Sequence, residues 1–180
     1  MTTLYDTDFH AWCLAQAEAL RQTAEAPPPQ GRVPGQVPGR TLDWSNLAGE
    51  IESMGHEQRF ACEAYVEQII AFLLKLQFTG PEAGQALAAH WRTEITAFRA
   101  GLEKKLSASI EDRLRTDMDR RYQVGRRLAL SALGTIDPGL ASHLPETCPY
   151  TMEQLGDYDW LPIPVRRRLT GEDSYGDLSV

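Results

Sequence analysis

The sequence predicts an all-α protein: an antiparallel bundle of four main helices with an irregular C-terminal segment containing one short helix. Three observations predict it. Apolar residues recur at three-to-four spacing over four long stretches. Clusters of Pro, Gly, Ser and Asp punctuate those stretches. No run of strict apolar–polar alternation marks a strand. The chain has 180 residues, the size of one domain. Folding at that length buries roughly two-thirds of the unfolded surface, so no disulfide or metal staple is required.

Asp6 or Thr7 is expected to cap a first helix running to about Thr23, with Phe9, Trp12, Cys13, Ala17 and Leu20 on one face. Residues 25–40 hold five prolines and three glycines and read as a flexible loop. Asp43 then caps a second helix. Its stripe of Leu47, Ile51, Met54, Cys62, Tyr65, Ile69, Phe72 and Leu76 is widened by Ala61, Val66, Ile70 and Leu73, which predicts a central position. Gly55 costs about 1 kcal/mol against alanine in mid-helix and is expected to mark a kink. Thr79-Gly80-Pro81 stops this helix.

The third helix presents Leu87, Trp91, Ile95, Phe98, Leu102 and Leu106. Ser107 or Ser109 caps the fourth, with Ile110, Leu114, Met118, Tyr122, Gly125, Leu128 and Leu133 on its stripe and Asp137-Pro138-Gly139 at its end. Thr151 and Gln154 have capping-box spacing and open one short helix. Trp160 lies outside the helices and is expected to pack the C-terminal segment back on the bundle. The single domain spans 1–162, and 163–180, with no apolar period, reads as a loose tail.

Composition narrows the functional classes. The opening MTTLYDTDFH has neither the basic start nor the apolar stretch of a secretory signal. The longest pure apolar run, Ile69 to Leu74, is far short of the ~20 residues of a membrane span. Cys13, Cys62 and Cys148 are odd in number and widely spaced, so they read as reduced thiols in a cytoplasmic protein. Net charge is −7, unevenly spread: −5 over residues 1–75, +2 over 76–140 and −4 over 141–180. This acidity argues against a general phosphate-binding surface and makes nucleic acid an unfavoured partner. There is no GxSxG, GxxxxGK[ST] or GxGxxG.

Two constellations have chemical potential. Glu52 and His56, followed by Glu63, lie on the second helix, and His90 and Glu94 at i,i+4 on the third. Convergence of these five would give carboxylate and imidazole ligands suited to a divalent Fe, Mn or Zn ion. The Glu-x-x-His spacing of ferritin-like sites is absent, and such i,i+4 pairs also occur on solvated faces. Arg113, Arg120 and Arg127, seven apart, form a basic stripe on the fourth helix, to which phosphates could bind. Acids interleave it, with Glu111 and Asp117 four residues ahead of Arg115 and Arg121.

The blocks LDWSNLAGEIESMG (Leu42 to Gly55), LLKLQF (Leu73 to Phe78), HWRTEITAFR (His90 to Arg99) and LPETCPYTMEQLGDYDWLP (Leu144 to Pro162), with the opening YDTDFHAWCLAQAEALR, resemble the bacterial domain-of-unknown-function family number twenty-nine. The resemblance covers about residues 5–162. It implies a small helical bacterial protein and supplies no activity, substrate or catalytic residue. The chain departs from the family pattern in its longer Pro/Gly loop and in Gly49.

The leading expectation is a non-catalytic protein–protein interaction or regulatory module whose partner is another protein or a second copy. The alternative is a metal-dependent hydrolase or oxidoreductase on the Glu/His set. A third reading is an accessory of nucleic-acid machinery acting through the arginine stripe. No catalytic residue and no organic cofactor are predicted.

Overall fold

The structure, a computed structural model, describes residues 2–25, 36–37, 40–79, 85–136, 139 and 143–165. The helices are α1 (Leu4–Thr7), α2 (Phe9–Glu25), α3 (Trp44–Thr79), α4 (Gln85–Lys105), α5 (Ala108–Thr116), α6 (Met118–Ile136) and α7 (Met152–Gly156). A two-residue antiparallel ladder, β1 (Gln36–Val37) with β2 (Arg40–Thr41), pairs Gln36 with Thr41 and Val37 with Arg40. The rest of the expected 25–40 loop after Glu25 lies outside the described residues, as do the Gly80-Pro81 and Asp137-Pro138 stops.

Helix starts follow from capping chemistry. Asp6 does not open the first long helix. Its carboxylate accepts from the Thr3 N–H (3.0 Å) and hydroxyl (2.7 Å) and closes the single turn α1. Asp8 caps α2 instead, accepting from the Ala11 N–H at 2.9 Å. Asp43 caps α3 as its sequence position predicts, accepting from the Asn46 N–H at 3.0 Å. Thr151 and Gln154 form the expected capping box on α7.

α3 is the axis of the molecule, and α2, α4 and α6 each pack chiefly on it. α2 lies antiparallel on its first half: Arg21 pairs with Glu52, and His10 and Cys13 face Gly55. α4 lies antiparallel on its second half, where Phe98 meets Tyr65 and Phe72 and the Lys105 carbonyl accepts from Gln58 at 2.6 Å. The chain reverses after α3 and again at Leu106-Ser107. α6 therefore runs parallel to α3, with Arg121 reaching Glu63 and Gly125 seated over Glu67 and Ile70. Successive long helices thus alternate in direction, and the second and fourth, α3 and α6, are parallel neighbours.

α3 is helical through Gly55, where the helices approach closely: a Cβ there would stand 2.8 Å from Cys13 Cβ. The fourth predicted helix is interrupted at Asp117 (φ −95°, ψ 13°), which separates α5 from α6.

The core surrounds the second half of α3. Ile69, Ile70, Leu73 and Leu74 are fully buried against Ile95 and Leu102 of α4, Leu114 of α5 and Leu133 of α6. The segment 143–165 covers the remaining side with Leu144, Tyr150, Met152 and Leu155. Arg99, only 2% exposed, pins that segment by donating to the carbonyls of Leu155 (2.9 Å), Gln154 (2.9 Å) and Trp160 (3.1 Å). Trp160 packs edge-on against Tyr150, so the expected packing back of this segment is seen. Val165 donates its N–H to the Gln77 carbonyl at 2.8 Å, and 166–180, with Arg166, Arg167 and Arg168, lie outside the described residues.

Candidate functional site

The five Glu/His residues of the alternative, metal-centred reading do not converge in the structure. Glu52 turns to α2 and pairs with Arg21. His56 is half-buried beside Phe60 and near His10 of α2. Glu63 is buried between Arg59 (2.7 Å) and Arg121 (3.1 Å). His90 and Glu94 stand 3.9 Å apart on α4, with the His90 ring edge-on to Phe72. Twenty residues of α3 separate Glu52 from Phe72, about 30 Å at 1.5 Å per residue. Among the described residues no group of three His, Cys, Asp or Glu side chains is placed to hold a metal ion.

The arginine stripe is likewise divided. Arg113 lies on α5 and pairs with Asp117 at 3.1 Å, whereas Arg120 and Arg127 are exposed on α6 beyond the break. Its neighbours are structural. Arg121 bridges Glu63 and Glu67, Arg115 holds Glu111 and Glu153, and Arg126 donates to the Pro145 carbonyl at 2.8 Å. Burial raises the Glu67 carboxyl against the pull of Arg121.

Sequence reasoning missed a polar knot where α2, α3 and α5 meet. Asp8 caps two helices at once. Besides Ala11 it accepts from the Ser109 N–H (2.8 Å) and hydroxyl (2.8 Å) at the start of α5. Burial opposes the charge, but these bonds outweigh it and hold the carboxyl below its usual range. His10 is buried on the α2–α3 seam. Burial, with Arg59 and His56 nearby, keeps its imidazole below the ordinary value despite Asp8. The pairing of Asp8 with residues 101 positions away leaves no local sequence signal.

The feature without an internal explanation is apolar. At 100° per residue, Leu47, Met54, Tyr65 and Phe72 fall within about 20° of one line along α3. Phe98 of α4 covers the Tyr65–Phe72 end. α4 stops at Lys105, level with Gln58, and no other described helix covers the rest of the line. Leu47 is 40% and Met54 51% exposed, with Ile51 half-buried beside them. On α2 the buried line His10–Cys13–Ala17 separates Arg21 from Phe9 and Trp12. The Arg21–Glu52 pair thus marks one flank of the hairpin. Tyr5, Phe9 and Trp12 form an aromatic trio on the other side of α2, with ring centroids 4.9–5.8 Å apart. Trp12 is half-exposed in this trio, unlike buried Trp91. Exposed Glu50 and Glu57, seven apart, border the strip.

Comparison with known proteins places this geometry in context. The profile of domain of unknown function DUF29 matches residues 4–161. The chain belongs to this family. A crystal structure of an α-helical protein of unknown function from Rhodospirillum rubrum ATCC 11170 is similar, with TM-score 0.67 and 25% identity over 88% of this chain and 95% of that one. A search of curated proteins finds no match.

The two DUF29 signature blocks occupy different structural roles here. DW…EIESMG forms the cap and first half of α3, including Leu47, Ile51 and Met54. PETCPYT forms the wrap held by Tyr122, which donates to the Pro145 carbonyl at 2.7 Å, and by Tyr150, which donates to Gln77 at 2.7 Å. No helix among the described residues is long and apolar enough to cross a membrane.

Proposed function

We propose that this DUF29 protein is a non-catalytic, cytoplasmic protein–protein interaction module that docks through the uncovered strip on the α2–α3 hairpin. One observation carries the reading: the apolar line of α3 continues beyond the end of the helix that covers it. Burying a Leu or Met side chain is worth roughly 1.5–3 kcal/mol, so leaving two on one line exposed forgoes stabilisation that a partner would supply. Contiguous exposed apolar surface of this kind characterises interaction sites. The Glu/His set and the arginine stripe offer no comparable support, because their members are spread over separate faces or engaged in ion pairs. Free Cys13, Cys62 and Cys148 fit a reducing compartment.

Native mass spectrometry of the protein gently purified from its own host tests the proposal. The expected spectrum contains a stoichiometric protein adduct. A bare chain carrying one or two metal ions would instead support metal-dependent chemistry and contradict the interaction reading.

A further inference from the structure

We infer that the occupant of the strip is a basic amphipathic helix of another protein, seated on α3 in line with α4; this rests on the interaction reading above. The shape argument comes from α4 itself. Over the second half of α3, a helix lies antiparallel on the line and inserts Phe98 against Tyr65 and Phe72. The same line continues from Gln58 back to Leu47, about 16 Å or three helical turns, with the same residue spacing and, among the described residues, no helix on it. A helix extending α4's path would place apolar residues at i, i+3 or i+4, and i+7 against Met54, Ile51 and Leu47.

Charge at the edge of the strip selects the sign of the occupant. Exposed Glu50 and Glu57 line one edge of the strip along α3. Lys104 and Lys105 lie at the lower end, in the last turn of α4, where they answer the partial negative charge of that helix terminus. A helix with Lys or Arg beside its apolar stripe complements this border, and an acidic one is repelled by it. A second copy is disfavoured, because two-fold packing of the strip on itself brings a second set of Glu50 and Glu57 to the same apolar line.

A photo-activated benzophenone side chain at position 54 of the full chain in its native host, with position 60 as a control on another side of α3, tests this. Mass spectrometry then sequences the linked peptide. The expected result is a cross-link from 54, and none from 60, to a segment of a different protein with apolar residues at three-to-four spacing and Lys or Arg between them. Glu50→Lys with Glu57→Lys should weaken binding of that segment, made as a synthetic peptide, about three- to tenfold, and acidic replacements in the peptide should restore it. Linkage to a second copy, to lipid or to a segment without the basic pattern overturns the inference and leaves docking at the strip standing. A native-mass partner that does not link to 54 overturns it and moves docking elsewhere. Absence of both adduct and link contradicts the interaction reading as well.

Discussion

Along α3 the line Leu47, Met54, Tyr65, Phe72 keeps one spacing and one chemistry, yet α4 and the core enclose its second half while its first half is exposed. Among the described residues the first half is packed chiefly by α2, with only the end of α4 reaching Gln58; the second is surrounded by α4, α5, α6 and the C-terminal wrap. The difference teaches that an apolar period reports a face that requires cover, and not which chain provides the cover. The helix lengths decide it. α3 has 36 residues and α4 only 21, so a single α4 cannot shield the whole line.

Substitutions in the two halves sharpen the contrast. Leu73→Ala, in the fully buried half, should lower unfolding free energy by about 2–5 kcal/mol in a urea titration. Arg99→Met should cost about 1–3 kcal/mol, because three carbonyls of the wrap lose their donor. Limited proteolysis within 154–160 should accompany that loss, and intact protection there would contradict the pinning role.

Asp8→Ala should cost about 1–2 kcal/mol, the scale of a lost N-cap, with protection lost at the starts of both α2 and α5 in hydrogen exchange. The pH dependence follows from two lowered groups. His10 is held neutral in the fold, so its contribution is complete above the ordinary imidazole value of 6.5 and is lost as pH falls through the lowered folded value. Asp8 repeats the pattern at acid pH, its contribution present above 3.8 and lost as pH falls through its own lowered value. His10→Gln should flatten the first decline; an unchanged slope below pH 6.5 would exclude His10 as its source. The smallest effect is expected at the exposed strip, where Met54→Ser should change stability by no more than about 0.5 kcal/mol. A loss as large as that of Leu73→Ala would mean that Met54 is covered within the monomer.

What the sequence made legible were features written locally or periodically. Asp43 and the Thr151–Gln154 box are caps readable three residues ahead, and the broad stripe of α3 announced its central position. Features set by distant partners were not readable. Asp8 looks like any first-turn acid until Ser109 meets it. Arg121, one of six arginines between 113 and 127, is distinguished only by its approach to Glu63 and Glu67. Gly55 shows in the sequence only its helix-weakening character, and the close approach of Cys13 on the opposite helix is not readable there. The Glu/His set failed as a cluster for the same reason, since helical spacing gives a face and not the neighbour across from it.

The central claim is most directly tested by combining Leu47→Glu with Met54→Glu and repeating native mass spectrometry from the host alongside thermal melting. The account predicts a melting temperature close to that of the unmodified chain and loss of the stoichiometric protein adduct. An adduct retained at full occupancy on a folded double variant would contradict it.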